Sequence, residues 1–201
     1  MIEWLSGIDR AVFTFVNQTL ANPVTDSIMP IITNDNVLRV LYAAILAVLL
    51  IFGRKRFVWV AVFSLVVVAL TDQSSSAWLK PWLARLRPCK VMEVRLLVDG
   101  CGAGYSFPSS HATNLFGQAL FFGLLYKKYV PYFILFAFLV GLSRVFVGVH
   151  YPLDVVGGMI LGGAEGALAA WALWNLDRRM KLKPKPAMRP VFRIRDDTMK
   201  S

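Results

Sequence analysis

The chain has 201 residues, with 22 Lys and Arg against 12 Asp and Glu, for a formal charge of +10. Its hydrophobic fraction is 57% and its mean hydropathy +0.57, whereas soluble domains run at about 45–50% apolar residues. A soluble globule and a disordered chain are both excluded, and two cysteines without a Cys-x-x-Cys pair exclude the usual structural zinc sites and a disulfide-dense scaffold.

At the N-terminus, Trp4, Leu5, Ile8, Val12, Phe15, Val16 and Leu20 recur at i, i+3, i+4 spacing, with Glu3, Asp9, Arg10 and Asn17 between them. The pattern predicts an amphipathic helix lying partly in the membrane interface. Pro23 breaks it, and residues 25–33 continue it for a short stretch. Together they supply an imperfect first crossing. No basic segment precedes a compact apolar core, so no cleavable signal peptide is expected.

Five apolar stretches follow, at residues 37–53, 57–70 (extending toward 79), 107–126, 130–149 and 152–174. A helical span needs about 20 predominantly apolar residues, and most of these stretches are too long for strands. The expected fold is an all-α integral membrane protein. It is a six-helix transmembrane bundle within residues 1–176, followed by a basic cytoplasmic tail at 177–201.

That tail holds nine basic residues against three acids, with Pro184, Pro186 and Pro190 keeping it extended. Such a cluster serves nucleic-acid binding in some proteins, but directly after an apolar helix it is the usual cytoplasmic flank of a span. No nucleic-acid partner is expected. If the spans alternate, Arg54-Lys55-Arg56 and Lys127-Lys128 join the tail on the cytoplasmic side. The opposite side receives residues 34–36, 80–107 and 144–151. It too is basic, through Lys80, Arg85, Arg87, Lys90, Arg95 and Arg144.

The two histidines, His111 and His150, both fall where an apolar stretch meets that opposite side. His111 follows Pro108-Ser109-Ser110 and opens a helical run, so it sits in a first turn, where free N–H groups and hydroxyls make an anion site. His150 precedes Asp154 by four residues, close enough for the carboxylate to orient the imidazole. Lys80 and Arg87, seven apart, face the same way if they share a helix. Arg144 and His150 converge only if the helix ends between them, and Gly148 is a plausible break. Taken singly, each interfacial His or Arg reads as a membrane anchor. Taken jointly, three fixed cations, two histidines and a carboxylate beside a serine-bearing helix start describe a phosphate pocket. It has too few carboxylates for magnesium, and neither metal nor cofactor is expected. Arg85, Lys90 and Arg95 are read as surface or headgroup charges without chemistry.

Lys80-x6-Arg87-Pro88, Pro108-Ser109-Ser110-His111 and Ser143-Arg144-x5-His150-x3-Asp154 resemble the three signature motifs of the type 2 phosphatidic acid phosphatase (PAP2) family. The one departure is Ser110, where the family commonly has Gly. The resemblance implies a metal-independent lipid phosphatase, with the six-helix topology of the membrane branch. His150 would attack phosphorus, Asp154 would orient it, and His111 would protonate the leaving oxygen and then activate water. Lys80, Arg87, Ser109, Ser110 and Arg144 would hold the phosphate. The expected substrate is a membrane lipid phosphate or diphosphate, foremost undecaprenyl diphosphate. Phosphatidylglycerol phosphate, phosphatidate and lipid A phosphates are alternatives, as are a lipid phosphotransferase and a non-enzymatic lipid or anion transporter. The expected location is the bacterial inner membrane, with the site on the periplasmic face. The oligomeric state is not legible.

Three further expectations concern the surroundings. Asp72 either braces Lys80 or marks where its helix emerges into the interface. Glu165, mid-span, faces protein in a structural role, paired with Asn114 or Gln118 or protonated. Gly157, Gly158, Gly162, Gly163 and Gly166 serve close packing inside the bundle rather than a dimer face. Finally, Cys89 and Cys101 lie in the loop placed outside the cytoplasm, where two thiols pair. Closing a loop of about a dozen residues would add roughly 3 kcal/mol and tie Arg87 to the segment leading into His111.

Overall fold

The computed structural model describes residues 2–51 and 55–180. Arg54 and the basic tail beyond Met180 therefore lie outside the described residues. Among the described residues nine α-helices follow one another: α1 (Ile2–Thr14), α2 (Pro23–Ile32), α3 (Asp35–Ile51), α4 (Lys55–Asp72), α5 (Lys80–Leu83), α6 (Pro88–Val91), α7 (Ser110–Leu125), α8 (Val130–Phe146) and α9 (Pro152–Arg179). α1 runs on into a π-helical turn at Phe15–Thr19, and α4 into another at Gln73–Leu79.

The protein is an all-α integral membrane protein. Val40, Ile51 and Ile160 are 70–73% exposed, a degree of apolar exposure that fits lipid and not water. Within hydrocarbon each backbone polar group must be paired within its own segment, which helices do. The count of six crossings is not reproduced as such. Three described segments are long and apolar enough to span, Lys55–Val91, Lys127–Phe146 and Pro152–Arg179, and α2 with α3 makes a fourth, bent by 48°. α7 has only 16 residues, a rise of about 24 Å, yet it is the central helix.

α7 and α9 form the heart of the bundle because glycine removes the side chains between them. A Cβ on Gly162 would lie 1.9 Å from the Thr113 carbonyl oxygen, and one on Gly166 would lie 2.0 Å from that of Gly117. The glycine face is thus consumed inside the molecule, as expected. Around this pair, Val60, Val67, Phe121, Phe122, Leu125 and Leu173 fill the half remote from the histidines. Phe13, Phe116, Val145, Phe146 and Tyr151 fill the half beside them.

α1 packs beside the start of α9, where the Leu153 N–H donates to Asp9 Oδ1 at 2.9 Å. Its apolar residues Trp4, Leu5, Ile8 and Val12 are exposed, while Asp9 and Asn17 are buried. Asn17 Nδ2 donates to the Phe146 carbonyl at 2.8 Å and to that of Arg95 at 3.0 Å. Helical periodicity finds two faces but not which solvent each meets. In lipid the polar face turns inward.

Candidate active site

The site forms at one end of the bundle, where α7 and α9 begin, α8 ends, and the segment 73–109 folds over them. α8 stops at Phe146, and Gly148 adopts φ +87°, so the chain reverses into His150. A Cβ there would approach the Arg95 carbonyl oxygen to 2.8 Å, which reserves the position for glycine. The expected break between Arg144 and His150 is therefore present. The His150 N–H donates to the Arg144 carbonyl at 3.3 Å, which fixes the two residues relative to each other.

His150 is 2% exposed. Its Nδ1 lies 3.4 Å from Asp154 Oδ2, so Nε2 is the nitrogen left for chemistry. Burial holds the imidazole pKa down to about 3, although Asp154 pulls the other way. At neutral pH it is therefore the free base that a nucleophile requires. Asp154 is fully buried and richly supplied with donors. Arg85 Nη1 donates to Oδ1 at 2.6 Å, the Tyr151 N–H to Oδ2 at 2.8 Å, and Ser106 Oγ to Oδ2.

The cations gather opposite. Lys80 and Arg87 do not share a helix face, which corrects the seven-residue argument. α5 ends at Leu83, Ala84 takes the left-handed φ of +46°, and Arg87 arrives in extended backbone. They converge through this reversal instead. Lys80, Arg87 and Arg144 are close enough to feel one another's charge. Lys80 Nζ donates to Ser110 Oγ at 2.6 Å, and Arg87 Nε to the Gly104 carbonyl at 3.1 Å. Arg144 Nη1 donates to Thr33 Oγ1 at 2.7 Å, yet its Nε is buried without a partner, as is Ser109 Oγ. Buried polar groups are ordinarily satisfied, so two orphans beside three cations mark a place kept for an anion. Ser109 stands just before α7, its N–H held by the Asp154 backbone carbonyl at 3.0 Å, and His111 lies in the first turn as expected. The Phe107–Pro108 bond is cis.

Several residues outside the expected set belong here. Arg85 is no surface charge: its Nη2 pairs with Asp9 at 2.5 Å, its Nη1 with Asp154, and its guanidinium lies 4.1 Å from the centre of the Tyr151 ring. Arg95 and Lys90 do stay at the surface, Arg95 pairing with Asp26 at 2.5 Å and Lys90 donating to the Ala103 carbonyl at 3.1 Å. In sequence, the one signal for Arg85 is its place inside the Lys80–Arg87 run. Asp9 shows only as an acid in a helix otherwise bound for lipid. Asp72 is exposed, accepts from Ser76 Oγ at 3.4 Å and lies near enough to Lys80 to act on its charge. Glu165 interacts with Ser74, not with Asn114 or Gln118. Gln118 is taken by Ser64, whose hydroxyl donates to its Oε1 at 2.8 Å. Cys89 and Cys101 are bonded, with Cα atoms 5.8 Å apart, and Gly102 beside them leaves room for Arg87, whose Nη1 would be 3.3 Å from an added Cβ.

A cavity of about 420 Å³ opens from His111 and Ser110 between α3, α4, α7 and α8. Leu38, Leu41, Ile45, Phe133 and Phe136 line it, and it follows α7 as far as Phe122, about three turns or 16 Å. A charged head at one end and an apolar trench along the bundle suit an amphiphile with a phosphate.

Residues 57–178 match the PAP2 superfamily. The chain belongs to that family. Within it the chain falls in the membrane lipid phosphatase branch. It is 37% identical over 193 residues to the lipid A 4'-phosphatase of Bacteroides thetaiotaomicron, covering 90% of this chain and 84% of that one. It is 30% identical over 151 residues to the undecaprenyl-diphosphatase BcrC of Bacillus subtilis, covering 73% and 74%. Among solved structures, it resembles the transmembrane PAP2-type phosphatidylglycerolphosphate phosphatase from Bacillus subtilis. The TM-score is 0.67, with 26% identity over 88% of this chain and 87% of that one. As a PAP2 enzyme, the protein is a membrane lipid phosphatase.

Proposed function

We propose that this PAP2 enzyme hydrolyses the phosphate ester of an envelope lipid through a phosphohistidine on His150. Nε2 attacks phosphorus as the bond to the lipid oxygen breaks, and His111 delivers a proton to that oxygen. Water then attacks the phosphohistidine, His111 takes its proton, and inorganic phosphate leaves. Lys80, Arg87, Arg144 and Ser109 neutralise the charge spread over the equatorial oxygens, the task that dominates phosphoryl transfer. The observation that carries the reading is the buried His150, held by Asp154 and close enough to Arg87 and Arg144 to feel their charge.

For the lipid, extensive similarity to a lipid A 4'-phosphatase over nine-tenths of the chain favours a saccharide lipid phosphate monoester. Undecaprenyl diphosphate, the substrate expected from sequence, is the second reading, favoured by the similarity to BcrC. The Cys89–Cys101 pair and the placing of Lys127 and Lys128 at the opposite end from His150 support a site on the periplasmic face of an inner-membrane protein. The test is purified protein against a panel of lipid A, undecaprenyl diphosphate, phosphatidylglycerol phosphate and phosphatidate, scored by kcat/KM and phosphate release. His150→Ala should lose turnover by at least about 10³-fold, as expected when a nucleophile is removed. Full turnover in that variant rejects the phosphohistidine. Binding without phosphate release points to a transporter, and release of a phosphorylated acceptor in place of phosphate points to a transferase.

A further inference from the structure

His150 is not the one histidine of the site with a carboxylate. His111 Nε2 lies 3.1 Å from Asp35 Oδ1, a close approach of ring and carboxylate, though not an aligned hydrogen bond. Asp35 stands in the first turn of α3, just after the corner between α2 and α3. Asn34 caps that corner, its Oδ1 accepting from the Asn36 and Val37 N–H groups. The same corner sends Thr33 to Arg144. Two side chains of one corner, Asp35 and Thr33, thus meet His111 and a phosphate-holding cation.

An acid in a first helical turn commonly serves the helix dipole alone. That role does not require contact with a histidine on another helix. The other charged groups near His111 are Arg39 on α3, Asp72 on α4, Arg144 on α8 and Lys80, which reaches Ser110 beside it. Among the described residues, Asp35 is the carboxylate at ion-pair distance.

We infer that Asp35 is a positioning residue for leaving-group protonation: it holds His111 by Nε2, so that Nδ1 presents its proton to the departing lipid oxygen. The inference rests on the phosphatase reading above. Asp35 touches neither phosphorus nor the phosphate oxygens; it acts through His111. As the proton passes to the leaving oxygen, the imidazolium becomes imidazole, and the carboxylate keeps the ring in place for its later task of taking a proton from water. The site then contains two His–Asp pairs, one for the nucleophile and one for the acid.

The consequence depends on the leaving group. A lipid alkoxide cannot depart unprotonated, whereas p-nitrophenolate can. Asp35→Asn and Asp35→Glu should therefore be compared with the wild type in detergent, on a long-chain alkyl phosphate and on p-nitrophenyl phosphate. The measure is kcat/KM, which reports the first phosphoryl transfer. Asp35→Asn should lose about 10–100-fold on the alkyl ester, the scale on which carboxylate partners of metal-ligating histidines act. That loss should exceed the loss on the aryl ester by at least about tenfold, and Asp35→Glu should restore most of it. Equal losses on both esters, whether from misfolding or from a purely structural role, overturn the inference, as does no loss on either. A wild type inert on both esters removes the phosphatase reading and this inference together. An active wild type with equal losses in the variant removes the inference alone.

Discussion

Asp154 shows how much one carboxylate can be asked to hold. It accepts from Arg85, Ser106 and the Tyr151 N–H while facing His150. Arg85 is the sole full positive charge in that set and is itself anchored by buried Asp9. Removing one member of a buried ion pair leaves the other uncompensated, which is strongly destabilising. Arg85→Met should therefore lower kcat by about 10–100-fold with a smaller change in KM, measured on whichever lipid phosphate the wild type prefers. His150 carries a second consequence. Its folded pKa is about 3 and its unfolded value about 6.5, so between those values the unfolded chain binds a proton that the folded one refuses. Stability must then fall as pH drops from about 6.5 toward 3. Thermal unfolding of the wild type should steepen its loss across that window relative to His150→Gln, which has nothing to titrate there.

At the scale of helices, the α7–α9 contact sets the distance between His111 and His150. Gly162→Ala would push a methyl group into the Thr113 carbonyl, whereas Gly163 has nothing nearer than a Leu120 side-chain carbon at 3.8 Å. The neighbouring pair is thus its own control. Gly162→Ala should cost several kcal/mol, in the range of overpacked cores and beyond, and elute as aggregate from a sizing column. Gly163→Ala should remain monodisperse and active. The segment between α5 and α7 has its own constraint. With the Cys89–Cys101 bond removed by Cys89→Ser with Cys101→Ser, Arg87 loses the closed loop that presents it. KM for a lipid phosphate should rise more than kcat falls, and two alkylatable thiols in the native protein would show that the bond does not form.

Taken as a whole molecule, the protein was readable from sequence where chemistry is concentrated in short stretches and unreadable where it depends on the fold. His111, His150, Asp154, Ser109 and the three cations stand in motifs whose spacing is itself the signal, and they converge. How Lys80 and Arg87 converge was hidden, because no periodicity announces a left-handed Ala84. Arg85 looked like a headgroup charge because Asp9 lies 76 residues away in the chain. Asp35 carries no signal in sequence for the same reason: its partner is on a helix that begins 75 residues later. The amphipathic face of α1 was found, but the side it turns to lipid follows from the bundle, not from the pattern.

The trench running from His111 to Phe122 and Phe133 has a kinetic consequence. A substrate whose tail must lie along the bundle reaches the histidines by moving sideways within the leaflet, not by diffusing in from water. The encounter is then a two-dimensional search, and the quantity that saturates the enzyme is the number of substrate molecules per molecule of membrane. Diluting a fixed amount of lipid phosphate with inert detergent or phospholipid should slow turnover at constant bulk concentration. Diluting the whole mixture with buffer should leave the rate per enzyme unchanged.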